Sequence, residues 1–275
     1  MSYGWIDAKA FSFNALLLMD SWIVRYISHM KNPEFNQKFA IALAANPTVC
    51  WYFGSKCPDR REYYDTLAGS APVGISPEHV RECETYVLDA LDTFIVYLYP
   101  AITDELPYIK AWDAQKLLSI TDFTGKTILD IDSGTGRLAI AAAPLAKWVY
   151  ACEPVDRLRE YLREKLERLR IENVFVVDGI LEKLPFPDES FDIVVSGHVF
   201  GEDHKQELRY MSRVTRIGGF IIDCPGEETE KQPNGPKREM IELGFEYSHY
   251  VSKLGGDVYR YWKRKANEDP VERDK

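Results

Sequence analysis

The stretch Asp130-Ile131-Asp132-Ser133-Gly134-Thr135-Gly136-Arg137 has the clearest capacity for chemistry: it is acidic, bears two glycines, follows a β-prone run and precedes a helical one. Gly134 and Gly136 allow a sharp turn and let a ligand approach the backbone without a Cβ in the way. Asp130 closes the run four residues before Gly134, where a carboxylate attracts a ligand ammonium and repels a pyrophosphate. Glu153 lies seventeen residues past Gly136 at the end of the next β-prone run, placed to accept hydrogen bonds from both hydroxyls of a ribose. Together these features call for an adenosine nucleoside or nucleotide. The pattern Gly134-x-Gly136-x-x-Ala139 alone also satisfies the dinucleotide fingerprint, so an NAD(P)-dependent oxidoreductase is the alternative enzyme reading.

Positioning such a turn requires a strand before it and a helix after it, and the sequence from Thr127 supplies both repeatedly. Short β runs occur at 127–131, 148–153, 174–178, 191–196 and 220–224, with helical segments at 137–146, 156–170 and 203–216. Strands alternating with helices of this length call for right-handed βαβ units in a parallel, doubly wound sheet. In the helix at 156–170, Leu158, Leu162, Leu166 and Leu169 should face inward, with Glu160/Arg163 and Glu164/Arg168 pairing on the solvent side. The last segment departs from the rhythm: 245–252 and 258–263, joined through Gly255-Gly256-Asp257, read as a hairpin. Before residue 110 the chain reads helical. An apolar stretch runs from Asp7 to Met30, a second from Phe35 to Ala45 stops at Asn46-Pro47, and Ser76-Pro77-Glu78 starts a stripe of Val80, Cys83, Val87, Leu91, Phe94 and Leu98 that ends near Pro100.

Three further stretches complete the pattern. Asp178-Gly179-Ile180 closes the third run, Leu184-Pro185-Phe186-Pro187-Asp188-Glu189-Ser190-Phe191-Asp192 leads into the fourth, and Arg213 to Phe220 with its Gly218-Gly219 leads into the fifth. In this order the chain resembles a class I S-adenosylmethionine-dependent methyltransferase, similar to the ubiquinone and menaquinone biosynthesis group, over about residues 107–264. The resemblance implies a Rossmann-like α/β fold, doubly wound, with a seven-stranded, mostly parallel sheet whose last strand is antiparallel, plus an N-terminal helical region. It implies S-adenosylmethionine as cofactor and S-adenosylhomocysteine as product. Asp130, Asp132, Ser133, Gly134, Thr135 and Gly136 would hold the methionine part, Glu153 with Pro154 the ribose, and Leu158 one face of the adenine. Asp178 would take the adenine amino group, with Gly179 and Ile180 beside it, while Ser196, Gly197 and the catalytic candidate His198 would line the reactive side. The family's usual glycine is replaced here by Asp132.

The 275 residues carry 34 Lys+Arg against 43 Asp+Glu, a net charge of -9. That balance argues against nucleic acid or an anionic membrane as partner, since neither is held without clustered cations. No apolar run reaches membrane-span length and the start lacks a signal-peptide pattern, so a cytoplasmic protein is expected. Five irregularly spaced cysteines point to free thiols, and Cys50 and Cys57 lack the tight spacing of a zinc pair, so no metal is expected. Residues 1–110 hold 18 of the 35 aromatics. The expected organisation is a helical, aromatic-rich substrate lid or dimerisation region at 1–106, the cofactor domain at 107–265 and a flexible tail at 266–275. Trp22, Tyr64 and Trp112, with the loops of His198 and Cys224, are the lid candidates. The expected partner is a small-molecule methyl acceptor, aromatic or apolar, with a homodimer possible. A non-catalytic nucleoside-binding scaffold is the third reading.

Overall fold

The computed structural model describes residues 6–197, 199–201 and 203–267, with Val96 described by its backbone alone. The chain divides into two compact units, Met1–Ile102 and Thr103–Lys275.

The first unit is helical: α1 Ser21–Ile27, α2 Pro33–Ala45, α3 Pro47–Lys56, α4 Arg61–Gly69, α5 Pro77–Ala90 and α6 Asp92–Leu98, with α7 Pro100–Glu105 crossing the boundary. Prolines at the first turn set several starts, because their missing N–H costs nothing there. Asn32 accepts from the Phe35 amide at 3.1 Å and Ser76 from the His79 amide at 3.2 Å, so both cap as their residue types predict. Two expectations change. Asn46-Pro47 does not simply end a helix: Asn46 joins α2 to α3, its side chain donating to Ala42 O and to Glu84 at 2.9 and 2.7 Å. The apolar stripe after Ser76 is likewise two helices, since α5 stops at Ala90 and α6 restarts at Asp92, with Leu91 and Leu98 buried. The core is aromatic, with Phe39, Phe53 and Tyr64 meeting edge to face at 5.1 to 6.3 Å. Tyr64 is fully buried and donates its hydroxyl to Val24 O, so it is a packing residue and offers nothing to a ligand.

The second unit is a seven-stranded sheet of order β3-β2-β1-β4-β5-β7-β6. Its strands are β1 Thr127–Ile131, β2 Trp148–Cys152, β3 Val174–Val177, β4 Phe191–Ser196, β5 Thr215–Asp223, β6 Glu246–Val251 and β7 Asp257–Arg264. The first five run parallel, and β7 is antiparallel to both β5 and β6. The helices are α8 Pro107–Lys110, α9 Gln115–Leu118, α10 Arg137–Ala142, α11 Asp156–Leu169, α12 His204–Val214 and α13 Arg238–Glu242. Leu138, Ala139, Leu162 and Leu166 of α10 and α11 bury against Ile128, Val195 and Ile222 on one face. Leu208, Met211 and Val214 of α12 bury against Leu129, Val194 and Ile221 on the other. Alternate residues of each strand therefore serve opposite helix layers, which is the doubly wound arrangement.

Two details depart from the sequence expectation. β5 begins at Thr215, paired with Phe191 across a register shift, and not at Phe220. In α11, Leu169 is 51% exposed because the helix ends there at a left-handed Arg170. On the solvent side of that helix Glu160 pairs with Arg157, while Arg163 donates to Val176 O.

The strand ends align. Val177, Cys152, Ile131, Ser196 and Asp223 are successive Cα partners across the ends of the five parallel strands, and Asp223 pairs onward with Tyr261 within β7. Loops leaving this row gather on one edge, the side on which open parallel sheets bind ligands.

Candidate functional site

The loop after β1 is built for close approach. Asp132, Gly134 and Gly136 all have left-handed backbones, at φ 53, 56 and 89. Position 132 therefore needs a residue that tolerates that region, and aspartate is among the few non-glycine types that do. Its side chain is exposed, yet the surrounding protein desolvates it and neighbouring Glu182 repels it, raising its carboxyl to about 6. The two glycines serve different ends. A Cβ on Gly136 would lie 2.4 Å from Leu162 Cδ1, whereas a Cβ on Gly134 would meet nothing within 4 Å. Gly136→Ala should therefore cost stability, about 1–3 kcal/mol, from the left-handed backbone plus crowding. Gly134→Ala should fold with a smaller loss and bind ligand less well. Denaturant midpoints and ligand titrations of the two variants check the contrast.

Two carboxylates secure the turn from beneath. Asp130 is 1% exposed and accepts from the Ala139 amide at 2.9 Å, holding the first turn of α10 onto the strand end. Glu153, 3% exposed, accepts from the Gly134 amide at 2.8 Å and from Val155 at 2.9 Å, so it ties the glycine loop to the end of β2. Each oxygen keeps a second lone pair for a ligand hydroxyl. Burial raises both carboxyls to about 7. Asp178 stays exposed, and it is held by Arg159, whose guanidinium also donates to Glu153 O at 2.7 Å and to Asp156. Arg159 is 7% exposed, a structural clasp that joins the ends of β2 and β3 and that reads in sequence as one more surface cation of a basic helix. Leu158 is 2% exposed on the inner side of α11. Ile180, 39% exposed, and half-buried Pro154 are the apolar surfaces on that edge. At Gly179 a Cβ would lie 2.7 Å from Cys152 Sγ and 2.8 Å from Pro185 Cδ, so close packing explains that glycine.

On the far side of β1, Ser196 is fully buried and donates to Asp223 Oδ1 at 3.3 Å. Asp223, absent from the sequence reading, is 5% exposed, and burial raises its carboxyl to about 6 against the opposing Lys237 and Arg137. Arg137 leaves the glycine turn, stacks over the Trp112 ring at 4.5 Å and donates to Cys224 O at 3.0 Å. Gly197 makes room for it, because a Cβ there would sit 2.6 Å from its Nη2. Trp112 thus lies beside the turn. Cys224 is buried in the sheet core, where it packs. His198 lies outside the described residues, as do 268–275 of the expected tail.

The turn fits the methionine end of S-adenosylmethionine on its own atoms. Ser133 Oγ and Thr135 Oγ1 are buried without a hydrogen-bond partner, and the space beside Gly134 is open. Unpaired buried polar atoms call for a ligand or water to satisfy them. The surrounding carboxylates suit a cationic group. A parallel sheet with an antiparallel seventh strand and an acid-bearing glycine turn is the arrangement of class I S-adenosylmethionine-dependent methyltransferase domains, which the second unit resembles. Residues 129–223 match the family described as Methyltransferase domain. The demethylmenaquinone methyltransferase of Halalkalibacterium halodurans is 32% identical over 159 residues, covering 54% of this chain and 61% of that protein. The uncharacterized methyltransferase YcgJ of Bacillus subtilis is 35% identical over 101 residues, 34% of this chain and 38% of that one. The U6 snRNA (guanine-N(2))-methyltransferase THUMPD2 of Bos taurus is 28% identical over 178 residues, 58% of this chain and 34% of its own length. The chain spans about half the length of the curated relatives it matches. Among solved structures, a SAM dependent methyltransferase from Aquifex aeolicus overlays with a TM-score of 0.47 at 20% identity, covering 60% of this chain and 96% of that one.

Proposed function

We propose that the protein transfers a methyl group from S-adenosylmethionine to a small-molecule acceptor, aromatic or apolar in its body. The observation that carries this reading is the left-handed turn at 132–136, with its orphaned hydroxyls and open glycine, tied to the buried Glu153 at the sheet's ligand edge. Asp130, Asp132 and Ser133 to Gly136 hold the methionine end. Glu153 and Pro154 take the ribose; Asp178, Gly179 and Ile180 take the adenine. Ser196 and Gly197 line the reacting side, and His198, the catalytic candidate, follows them in the sequence. When bound, the cofactor supplies a methyl group already activated by a sulfonium charge. The residues of this chain then have to align the acceptor and exclude water, and orientation of that kind supplies on the order of 7–11 kcal/mol.

A small acceptor is favoured over RNA because the net charge of -9 opposes a polyphosphate chain. We assign the helical unit to acceptor selection or self-association, on the exposed apolar surface of Tyr26, Trp51 and Val73. The five buried free thiols fit the reducing cytoplasm, and among the described residues no helix is long and apolar enough to cross a membrane. The test is incubation of the protein with S-adenosylmethionine labelled in its methyl group and a low-molecular-weight cell extract. Label should appear in one small organic product; label confined to RNA or protein would contradict the reading.

A further inference from the structure

A polar cleft of the second unit opens beside the ends of β4 and β5 and the start of β7. Its cavity volume is about 140 Å³, and its walls include Gly197, Phe200, Asp223, Glu228, Lys237 and Tyr259. Its position follows from the sheet. Asp223 is the Cα partner of Ser196, and Ser196 is the partner of Ile131, the residue before the glycine turn. At about 4.8 Å between neighbouring strands, Asp223 lies about 10 Å from the end of β1. A molecule seated in the cleft therefore reaches toward the turn along one edge.

The chemistry of the cleft is asymmetric. Phe200 and Tyr259 offer ring surfaces, while the floor is a carboxyl 5% exposed to solvent. Among the described residues that carboxyl accepts one hydrogen bond, from Ser196 Oγ at 3.3 Å. Lys237, another lining residue, is anchored through Nζ to Phe200 O at 2.9 Å, and among the described residues it closes no ion pair on Asp223. The other charged groups that act on Asp223 are Arg137 from α10 and Glu207 from α12, and Tyr261 faces it from β7. Lys237 and Arg137 favour its ionised form, and burial and Glu207 oppose it.

From this geometry we infer that the cleft is the acceptor subsite and that Asp223 receives the acceptor's proton, which selects an aromatic ring bearing a hydroxyl or amino group over a purely apolar one. The inference rests on the methyl-transfer reading above and deepens it. The acceptor oxygen or nitrogen bonds the methyl carbon as the carbon–sulfur bond breaks, with that bond's electron pair staying on sulfur. The proton released from the acceptor passes to the Asp223 carboxylate and from there to water. Ser196 positions the carboxylate by donating to its other lone pair.

The test uses phenol, aniline and toluene as probes of the full chain loaded with S-adenosylhomocysteine, with binding read by ligand-observed NMR. Phenol and aniline should bind at least about fivefold tighter than toluene at pH 8, with the preference shrinking toward pH 5 as Asp223 takes up a proton. In Asp223→Asn all three should bind within about twofold of one another, while the affinity for S-adenosylhomocysteine stays within about twofold of the unsubstituted protein. Equal binding of the three probes at pH 8, or a preference that survives in Asp223→Asn, overturns the inference. The pH series needs no variant, so it decides the matter even where Asp223→Asn folds poorly. Failure to load S-adenosylhomocysteine overturns the parent reading instead.

Discussion

Replacing Glu153 with alanine is expected to weaken S-adenosylmethionine binding by about two to three orders of magnitude. Two contributions add. The carboxylate offers its free lone pairs to the ribose hydroxyls, and hydrogen bonds to a charged acceptor are worth about 1.5–3 kcal/mol each. Its removal also strands the amides of Gly134 and Val155, which it now satisfies at 2.8 and 2.9 Å, and unpaired buried donors cost about 1–3 kcal/mol each. The second contribution loosens the turn whether or not a ribose is touched, so affinity for the whole cofactor cannot separate the two. Comparing adenosine with 2′-deoxyadenosine does. The unsubstituted protein should prefer adenosine by tenfold or more, and Glu153→Ala should lose that preference. A preference retained in the variant would leave Glu153 as a loop tie alone.

The second large effect is on pH. Asp130 and Glu153 have carboxyls raised by burial to about 7, above their ordinary values of 3.8 and 4.5. The fold without ligand therefore holds protons that the unfolded chain has released. Its stability from these groups is complete below about pH 4 and is lost as pH rises through 7. A cationic ligand reverses the sign, since it is bound by the ionised forms. At pH 5.5 a group of pKa about 7 is ionised in only about one molecule in thirty, so cofactor affinity should rise by roughly thirtyfold between pH 5.5 and 8 for each group that must ionise. Melting temperature without ligand should fall over the same interval. Flat profiles for both quantities would mean that Asp130 and Glu153 are already ionised in the free protein.

β1 and β4 were legible to the residue, as TILDI and FDIVVS, because a buried apolar run bounded by a turn permits little else. The start of β5 was not. Arg216-Ile217-Gly218-Gly219 has the composition of a turn, yet pairing with β4 across a register shift draws it into the strand. At the site, residues whose signal is local were readable: Gly134 and Gly136 by their spacing, and Asp130 and Glu153 as acids closing apolar runs. Asp223 carries the same signal, an acid at the end of Phe220-Ile221-Ile222, and could have been found by that rule. Arg159 could not, because its burial depends on carbonyl and carboxylate groups at the ends of two strands, which only the folded sheet brings to α11. The glycine expected at 132 shows how a departure is absorbed, since aspartate accepts the left-handed backbone that the turn requires.

Titration calorimetry of the full chain with S-adenosylmethionine, S-adenosylhomocysteine and NAD(H) tests the central claim most directly. Saturable one-to-one binding of the first two, with no heat from NAD(H), is the predicted result. Tight binding of NAD(H) with no response to either sulfur nucleoside would contradict it.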